Sequence, residues 1–359
     1  MKNNLFLIII LALIAGCNDD KIDNLKFKQV LGNLTLIQSQ GKFSPRDSSG
    51  ELLFKDSLWL FGGFTPDRSN EVWNSVDGIT WIQKPNALWS PRNLVSVVEF
   101  QGKIWVMGGY TSGGVVNDIY SSVDGKNWVQ EQVVAPWPPR AAFGLLKIHN
   151  KLILFGGFSN NFIHLNDVWE SVDGINWTRV VINAPWKERA MFASVMFNNE
   201  AYLIGGGIYN TDYIYNSEIN FDDVWKSADG INWEKVVNHA NFGPRRFHNA
   251  FVISNRLFVG SGFCLDTRIF PNSRNGVVKA NLTAEQLAFY NVDRGRSYGN
   301  LNDIWHSSTG KEWGKVSLIE TFPIRHEASV IVKNNEAYWI GGFGVDLYND
   351  IWKFKLNSK

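Results

Sequence analysis

The chain has 359 residues, 45% of them hydrophobic and 19% charged, enough to bury a large core as one globular domain. Its 35 basic and 34 acidic side chains leave a net charge of +1, which gives no bulk field for DNA, RNA or an acidic membrane. Binding of nucleic acid by charge is thereby excluded, and the sixteen tryptophans need another explanation.

At the N-terminus, Lys2 precedes an apolar run from Leu5 to Ala15. Such a run is too short to cross a bilayer core but suits a secretory signal. It closes on Ile14-Ala15-Gly16-Cys17, which resembles a bacterial lipobox. The resemblance implies a signal peptide over 1–16 and lipidation of Cys17 as the mature N-terminus. Residues 17–32 then read as a polar tether. Its Asn18-Asp19-Asp20-Lys21 is similar to the acidic export signals of Bacteroidetes-type surface lipoproteins. Together these features predict a lipid-anchored protein of the bacterial cell envelope, at the outer membrane on its periplasmic or surface side. Only Cys264 is left as a free thiol, so no intramolecular disulfide is expected and the thiol reads as a small apolar filler.

From residue 33 onward a unit recurs six times. Each copy opens on an arginine: Arg46, Arg92, Arg140, Arg189, Arg245 and Arg325. Sixteen residues later stands a glycine pair or its remnant, from Gly62-Gly63 to Ser261-Gly262 and Gly341-Gly342. An aromatic follows (Trp73, Tyr120, Trp169, Trp225, Trp305, Trp352), and eight residues beyond the first five of these lies a tryptophan: Trp81, Trp128, Trp177, Trp233 and Trp313. Each unit reads as four strands, with alternating apolar positions such as Val95 and Val97 in the first and Ile104 to Met107 forming the second. The glycines release the second strand, and Asp-Gly turns the third into the fourth. Tryptophans are expected to fill the wedge between neighbouring sheets. A repeat of about fifty residues with this grammar marks a propeller.

The run Lys151-Leu-Ile-Leu-Phe-Gly-Gly157, then Asn166-Asp-Val-Trp169 and Trp177, resembles the kelch repeat, and the likeness spans residues 33 to 356. The turn Ser171-Val-Asp173-Gly174, repeated at Ser75, Ser122 and Ser227, is similar to the Asp-box of sialidase-type propellers but lacks one residue between Asp and Gly. The fold expected is all-β: a six-bladed kelch-type β-propeller with four-stranded blades over 33–359. Trp128, Trp177, Trp233 and Trp313 each precede the next arginine by twelve residues, and twelve before Arg46 lies Leu34 in the run Asn33–Gln38. The chain ends soon after Trp352, so the N-terminal strand should complete the last blade.

Spacing also locates where function can sit. From glycine pair to third-strand aromatic the counts are 11, 12, 13, 20, 44 and 11, so length varies in one connection. That connection shares a face with the links between blades, and loops on a rigid scaffold usually carry function. The fourth-blade loop holds Tyr209 and Tyr213. The fifth-blade insertion, 264–301, holds Arg268, Arg274, Arg294, Arg296 and Tyr298, with a capping box at Thr283-Ala-Glu-Gln286 predicting a short helix. The six repeated arginines, and the aromatics three residues before them (Phe43, Trp89, Trp137, Trp186, Phe242, Phe322), read as architecture, because what every blade shares builds the core.

Residues that break the repeat carry more information. Blade five has Arg245-Arg246-Phe-His248-Asn249 and blade six Arg325-His326-Glu327, where blades three and four have Arg140-Ala-Ala and Arg189-Ala-Met. Arg246, His248, His326 and Glu327 should face the channel mouth, where cation, imidazole and carboxylate can hold a polyhydroxylated anion or move protons. A satisfied polar network lining a wet channel accounts for them equally well. The six histidines show no metal-ligand spacing, and no glycine loop opens a helix, so neither a metal nor a cofactor is expected. The resulting expectation is a binding protein for a glycan or another extracellular partner, a protein included, with no redox chemistry. Resemblance to bacterial kelch sialate mutarotases implies an alternative, a sugar mutarotase. There Glu327 or His326 would exchange the ring proton while Arg246, or an arginine of the 264–301 insertion, holds a carboxylate.

Overall fold

The structure is a computed structural model that describes residues 30–208, 219–264 and 299–357. Among these residues the chain forms six antiparallel sheets that pack as blades around a channel. Blade one runs Gly50–Phe54, Ser57–Phe61, Val72–Ser75 and Ile82–Gln83, from the channel outward. The innermost strands of the other five are Ser96–Phe100, Gly144–Ile148, Ala193–Phe197, Asn249–Ile253 and Ser329–Lys333. Each innermost strand touches the next, and Ser329–Lys333 touches Gly50–Phe54, which closes the ring.

Closure follows the expected route with one addition. The N-terminal strand Leu31–Gln38 pairs antiparallel with Leu347–Leu356 as the outer strand of blade six. Blade five's outer segment breaks after Gly314–Lys315, and its continuation Ser317–Leu318 crosses over to pair parallel with Leu31–Gly32. The N-terminal strand is therefore held by two sets of backbone hydrogen bonds, one within blade six and one to the outer segment of blade five.

Why the repeat needs its fixed residues is visible in the bonds they make. The six arginines are at most 2% exposed. Each Nη1 donates to the carbonyl sixteen residues on (Gly62, Gly108, Gly156, Gly205, Ser261, Gly341) at 2.7–3.1 Å. A guanidinium also grips the carboxylate two residues before the third-strand aromatic. Asp118, Asp167, Asp223, Asp303 and Asp350 are held in bidentate fashion, and Glu71 bonds Arg46 through one oxygen. Trp73, Trp169, Trp225, Trp305 and Trp352 donate their indole N–H to the same carboxylates at 2.7–3.0 Å. Buried charges survive only when paired and saturated with hydrogen bonds, and here both partners come from one blade. The architectural reading of the arginines holds: besides the pairs within the blade, Nε of Arg46, Arg92, Arg140, Arg189 and Arg325 donates to the carbonyl two residues earlier, in the link that leads into the blade.

The wedges between blades fill as anticipated. Trp81, Trp128, Trp177, Trp233 and Trp313 are at most 8% exposed, and each meets edge-on the aromatic that precedes the arginine of its own repeat. The Ser-x-Asp-Gly turns also pack between blades. Gly78 sits at φ +78°, and a Cβ there would lie 2.4 Å from Tyr338 of the preceding blade. Glycine is required for both conformation and space.

Candidate functional site

The innermost strand of every blade starts with the same irregularity. Two residues after each arginine stands a non-glycine residue in the left-handed region: Ser48, Leu94, Ala142, Met191, Phe247 and Glu327, with φ between 52° and 59°. Their backbones form a closed circuit around the channel. Each N–H donates to the carbonyl of its counterpart in the preceding blade, from Leu94 to Ser48 onward until Ser48 donates to Glu327, at 2.8–3.2 Å. Left-handed conformations strain non-glycine residues by about 1–3 kcal/mol each, and a hydrogen bond to the next blade at every position offsets that strain. The six side chains line a cavity of about 180 Å³ along the channel, together with Glu51 from the first strand of blade one.

One residue earlier, the chain bridges to the residue that follows the glycine pair. Asp47 pairs with Phe64, Asn93 with Tyr110, Ala141 with Phe158, Ala190 with Gly207, Arg246 with Phe263, and His326 with Phe343. The mouth on the loop-rich face is thus framed by aromatic rings at five of six positions. Short ribbons such as Phe64–Thr65 with Asp67–Arg68, and Tyr110–Thr111 with Gly114–Val115, rise from it.

The polar side chains collect in one arc. Nε2 of His326 lies 3.5 Å from Oε2 of Glu327, and Nδ1 of His326 is hydrogen-bonded to Asn300 Oδ1. The imidazole is packed among Phe247, Phe263 and Phe343 at 5.4–5.6 Å between ring centres. Arg246 is 4% exposed and stacks on Phe263 at 4.9 Å. Ser48 Oγ donates to Asp47 Oδ1 at 2.7 Å and is also bonded to the Glu327 carboxyl. On the blade-two side Arg68 donates to Asn93 Oδ1 at 3.2 Å and lies over Tyr110 at 4.5 Å.

Electrostatics here follow from burial first. Burial and the negative charge of Asp47 push the Glu327 carboxyl well above the usual range, against weaker pulls from Ser48 and Arg246. Burial lifts Asp47 to about 6. Burial likewise lifts Glu51 to about 8, despite hydrogen bonds from Val330 N–H and the Ser329 hydroxyl. Burial and the charge of Arg246 depress His326 to about 3. Burial therefore favours the protonated form of Glu327 beside a neutral His326, and Ser48 links the Glu327 and Asp47 carboxyls. A carboxylic acid kept neutral can donate a proton that a carboxylate cannot.

The remaining sequence candidates fall elsewhere. His248 occupies the slot that Phe143 and Phe192 fill in blades three and four, packed between Gly205 of blade four and Gly262 of its own blade. Burial and Arg245 hold its ring neutral, with the pKa at about 3, and it reaches the cavity only along its wall. Tyr209, Tyr213, Arg294, Tyr298, most of the 264–301 insertion and its expected helix lie outside the described residues. So do residues 1–29 with Cys17. Asp47, Ser48, Glu51, Arg68, Asn93 and Asn300 were missed by sequence reasoning. Asp47 and Ser48 had a signal, because they fill in blade one the register of Arg246-Phe247 and His326-Glu327. Arg68 and Asn300 had none, since loop length hides their register.

The description "KLHDC2/KLHL20/DRC7 Kelch-repeats domain" matches residues 12–206, more than half of the chain. The chain belongs to the kelch-repeat family. Among solved structures, that of YjhT is similar to this kelch propeller, with a TM-score of 0.65 and 15% sequence identity, covering 89% of this chain and 98% of the other. Likeness at that identity speaks for the fold alone. No curated protein matches the chain by sequence.

Proposed function

We propose that this kelch propeller binds a carboxylated carbohydrate at the channel mouth, in the arc formed by blades five, six and one. The observation that carries this reading is the convergence of Arg246, His326, Glu327, Asp47 and Ser48 on one side of a mouth framed by aromatic rings. A guanidinium suits a carboxylate, neutral hydroxyl and carboxyl groups suit sugar hydroxyls, and aromatic planes suit the apolar face of a pyranose. The test is a glycan array that includes free and linked sialic acids, probed with the soluble protein from residue 18 onward. Saturable binding that Arg246→Ala removes supports the reading. A blank array moves the assignment to a protein partner, sought by cross-linking on intact cells.

A second reading rests on the Glu327–His326 pair. A proton donor and a neutral base 3.5 Å apart can deliver a proton to a sugar ring oxygen and take one from the anomeric hydroxyl. That is the chemistry of a mutarotase. Glu327→Gln should then slow anomer exchange of N-acetylneuraminate followed by NMR, and a wild-type protein without acceleration ends this reading. Delivery to the cell envelope through a lipid on Cys17 belongs to the same proposal. Cys17→Ala should abolish incorporation of labelled palmitate, and continued labelling contradicts it.

A further inference from the structure

The face opposite the mouth differs from the rest of the surface. Innermost strands run from the mouth to this face, and third strands return to it and end in the Ser-x-Asp-Gly turns. The second residue of that turn is valine in three consecutive blades. Val76, Val123 and Val172 are 63%, 52% and 59% exposed, and Ile79 beside Val76 is 50% exposed. Single exposed apolar residues need no explanation, but the same slot filled alike in three neighbouring blades does. Blades four and five carry Ala228 and Ser308 there.

These valines cannot fold back onto the protein. Their carbonyls are pinned across blades: Lys333 Nζ donates to Val76, Lys55 Nζ to Val123, and Gln101 Nε2 to Val172, at 2.8–3.0 Å. The turn aspartates accept from backbone amides, as Asp77 does from Ile79 and Thr80. Such bonds hold the turn rigid and leave the apolar side chains outermost.

The chain enters the propeller on this same face. Gly32 pairs with Leu356 and Leu34 with Phe354, which in turn pairs with Ala337 beside the Asn334-Asn335 hairpin. Blade six, which receives the entering strand, adjoins blade one, where the valine arc begins. Leu31 lies fourteen positions beyond Cys17, a reach of about 45–50 Å when fully extended. A tether of that length keeps a weak apolar contact at high effective concentration.

We propose that the Val76–Val123–Val172 face rests on a lipid surface, with the channel mouth turned away from the membrane. The proposal relies on the reading of Cys17 as the lipid anchor. Around these valines the charges are mixed, Asp56, Asp77, Asp124 and Asp173 beside Lys55, Lys126 and Lys333, so the face has no cationic excess and the proposed contact is apolar and does not need anionic lipid.

The test uses the full chain, purified from membranes, with Cys264→Ser and one new cysteine carrying an environment-sensitive fluorophore. The sites are Val123→Cys and Val172→Cys on this face and Ser112→Cys on the ribbon above the mouth. In phosphatidylcholine vesicles, labels at 123 and 172 should shift to the blue and be quenched by doxyl-labelled lipid, with little dependence on salt. The label at 112 should do neither. Labels at 123 and 172 that stay water-like while the protein floats with the vesicles overturn the docking and leave the anchor standing. Flotation that survives Cys17→Ala overturns the anchor. Labels shielded in native envelopes but not in pure vesicles overturn the lipid assignment in favour of a protein partner.

Discussion

Blades two to four and blades five, six and one meet the channel with the same backbone and opposite chemistry. In the first arc the two residues after the arginine are Asn93-Leu94, Ala141-Ala142 and Ala190-Met191. Of these, Ala141, Ala190 and Met191 join an apolar cluster with Val115 and Phe158. In the second arc they are Arg246-Phe247, His326-Glu327 and Asp47-Ser48. Both arcs carry the same left-handed residues and the same circuit of hydrogen bonds from blade to blade. Because the circuit is made by backbone atoms, it asks little of the side chains it presents. Those positions are therefore free to differ, and the difference is what a ligand can read.

The comparison can be broken most forcefully at an element both arcs share. Arg140→Ala removes one partner of a buried bidentate pair and should cost about 3–5 kcal/mol of stability in urea unfolding. Arg246→Ala should cost much less stability, although both arginines are buried. Equal losses would mean that Arg246 is architecture.

A second effect should appear with pH. Glu51 holds a proton up to about pH 8 in the folded chain but only to about 4.5 in the unfolded chain. The folded state binds more protons between those values, so this contribution is complete below the unfolded pKa and is lost as pH rises through the folded one. His248 and His326, neutral when folded, destabilise the protein only as pH falls below about 6.5. Between pH 6.5 and 8 stability should therefore fall as pH rises, by at most about 1.4 kcal/mol per pH unit from Glu51. Glu51→Gln should flatten that decline, measured as melting temperature against pH.

Smaller effects sharpen the contrast. Arg246→Ala should weaken binding of an acidic sugar by roughly 10- to 100-fold, the loss of about 1.5–3 kcal/mol for a charged hydrogen bond. Met191→Leu, in the apolar arc beside Ala190, which holds the register of Arg246, should cost less than about 1.5 kcal/mol of stability and leave affinity unchanged. An affinity change at Met191 comparable with that at Arg246 would erase the distinction between the arcs.

Much of this was legible in the sequence because the repeat is a spacing. Arginine to glycine pair, aromatic to tryptophan and the missing outer strand of blade six are counts along the chain, and the blades and their closure followed from them. The carboxylate two residues before each third-strand aromatic was equally regular, yet its role as the arginine's partner needed the fold. At the site, Arg246, His326 and Glu327 stood out against the alanines of blades three and four. Asp47 and Ser48 were equally readable from the register of blade one. The circuit through Leu94, Met191 and Phe247 was not, since these residue types rarely adopt positive φ and only neighbouring blades hold them there. His248 shows the converse, a polar residue that breaks the repeat and serves as a wedge in the slot of Phe143 and Phe192.

The most direct test of the polar arc is an NMR titration of the histidine ring signals with N-acetylneuraminate, assigned by single histidine substitutions. Binding at the mouth predicts a saturable shift of His326, at most a small shift of His248, and loss of both in Arg246→Ala. Saturable binding that leaves His326 unmoved, or that persists unchanged in Arg246→Ala, would contradict it.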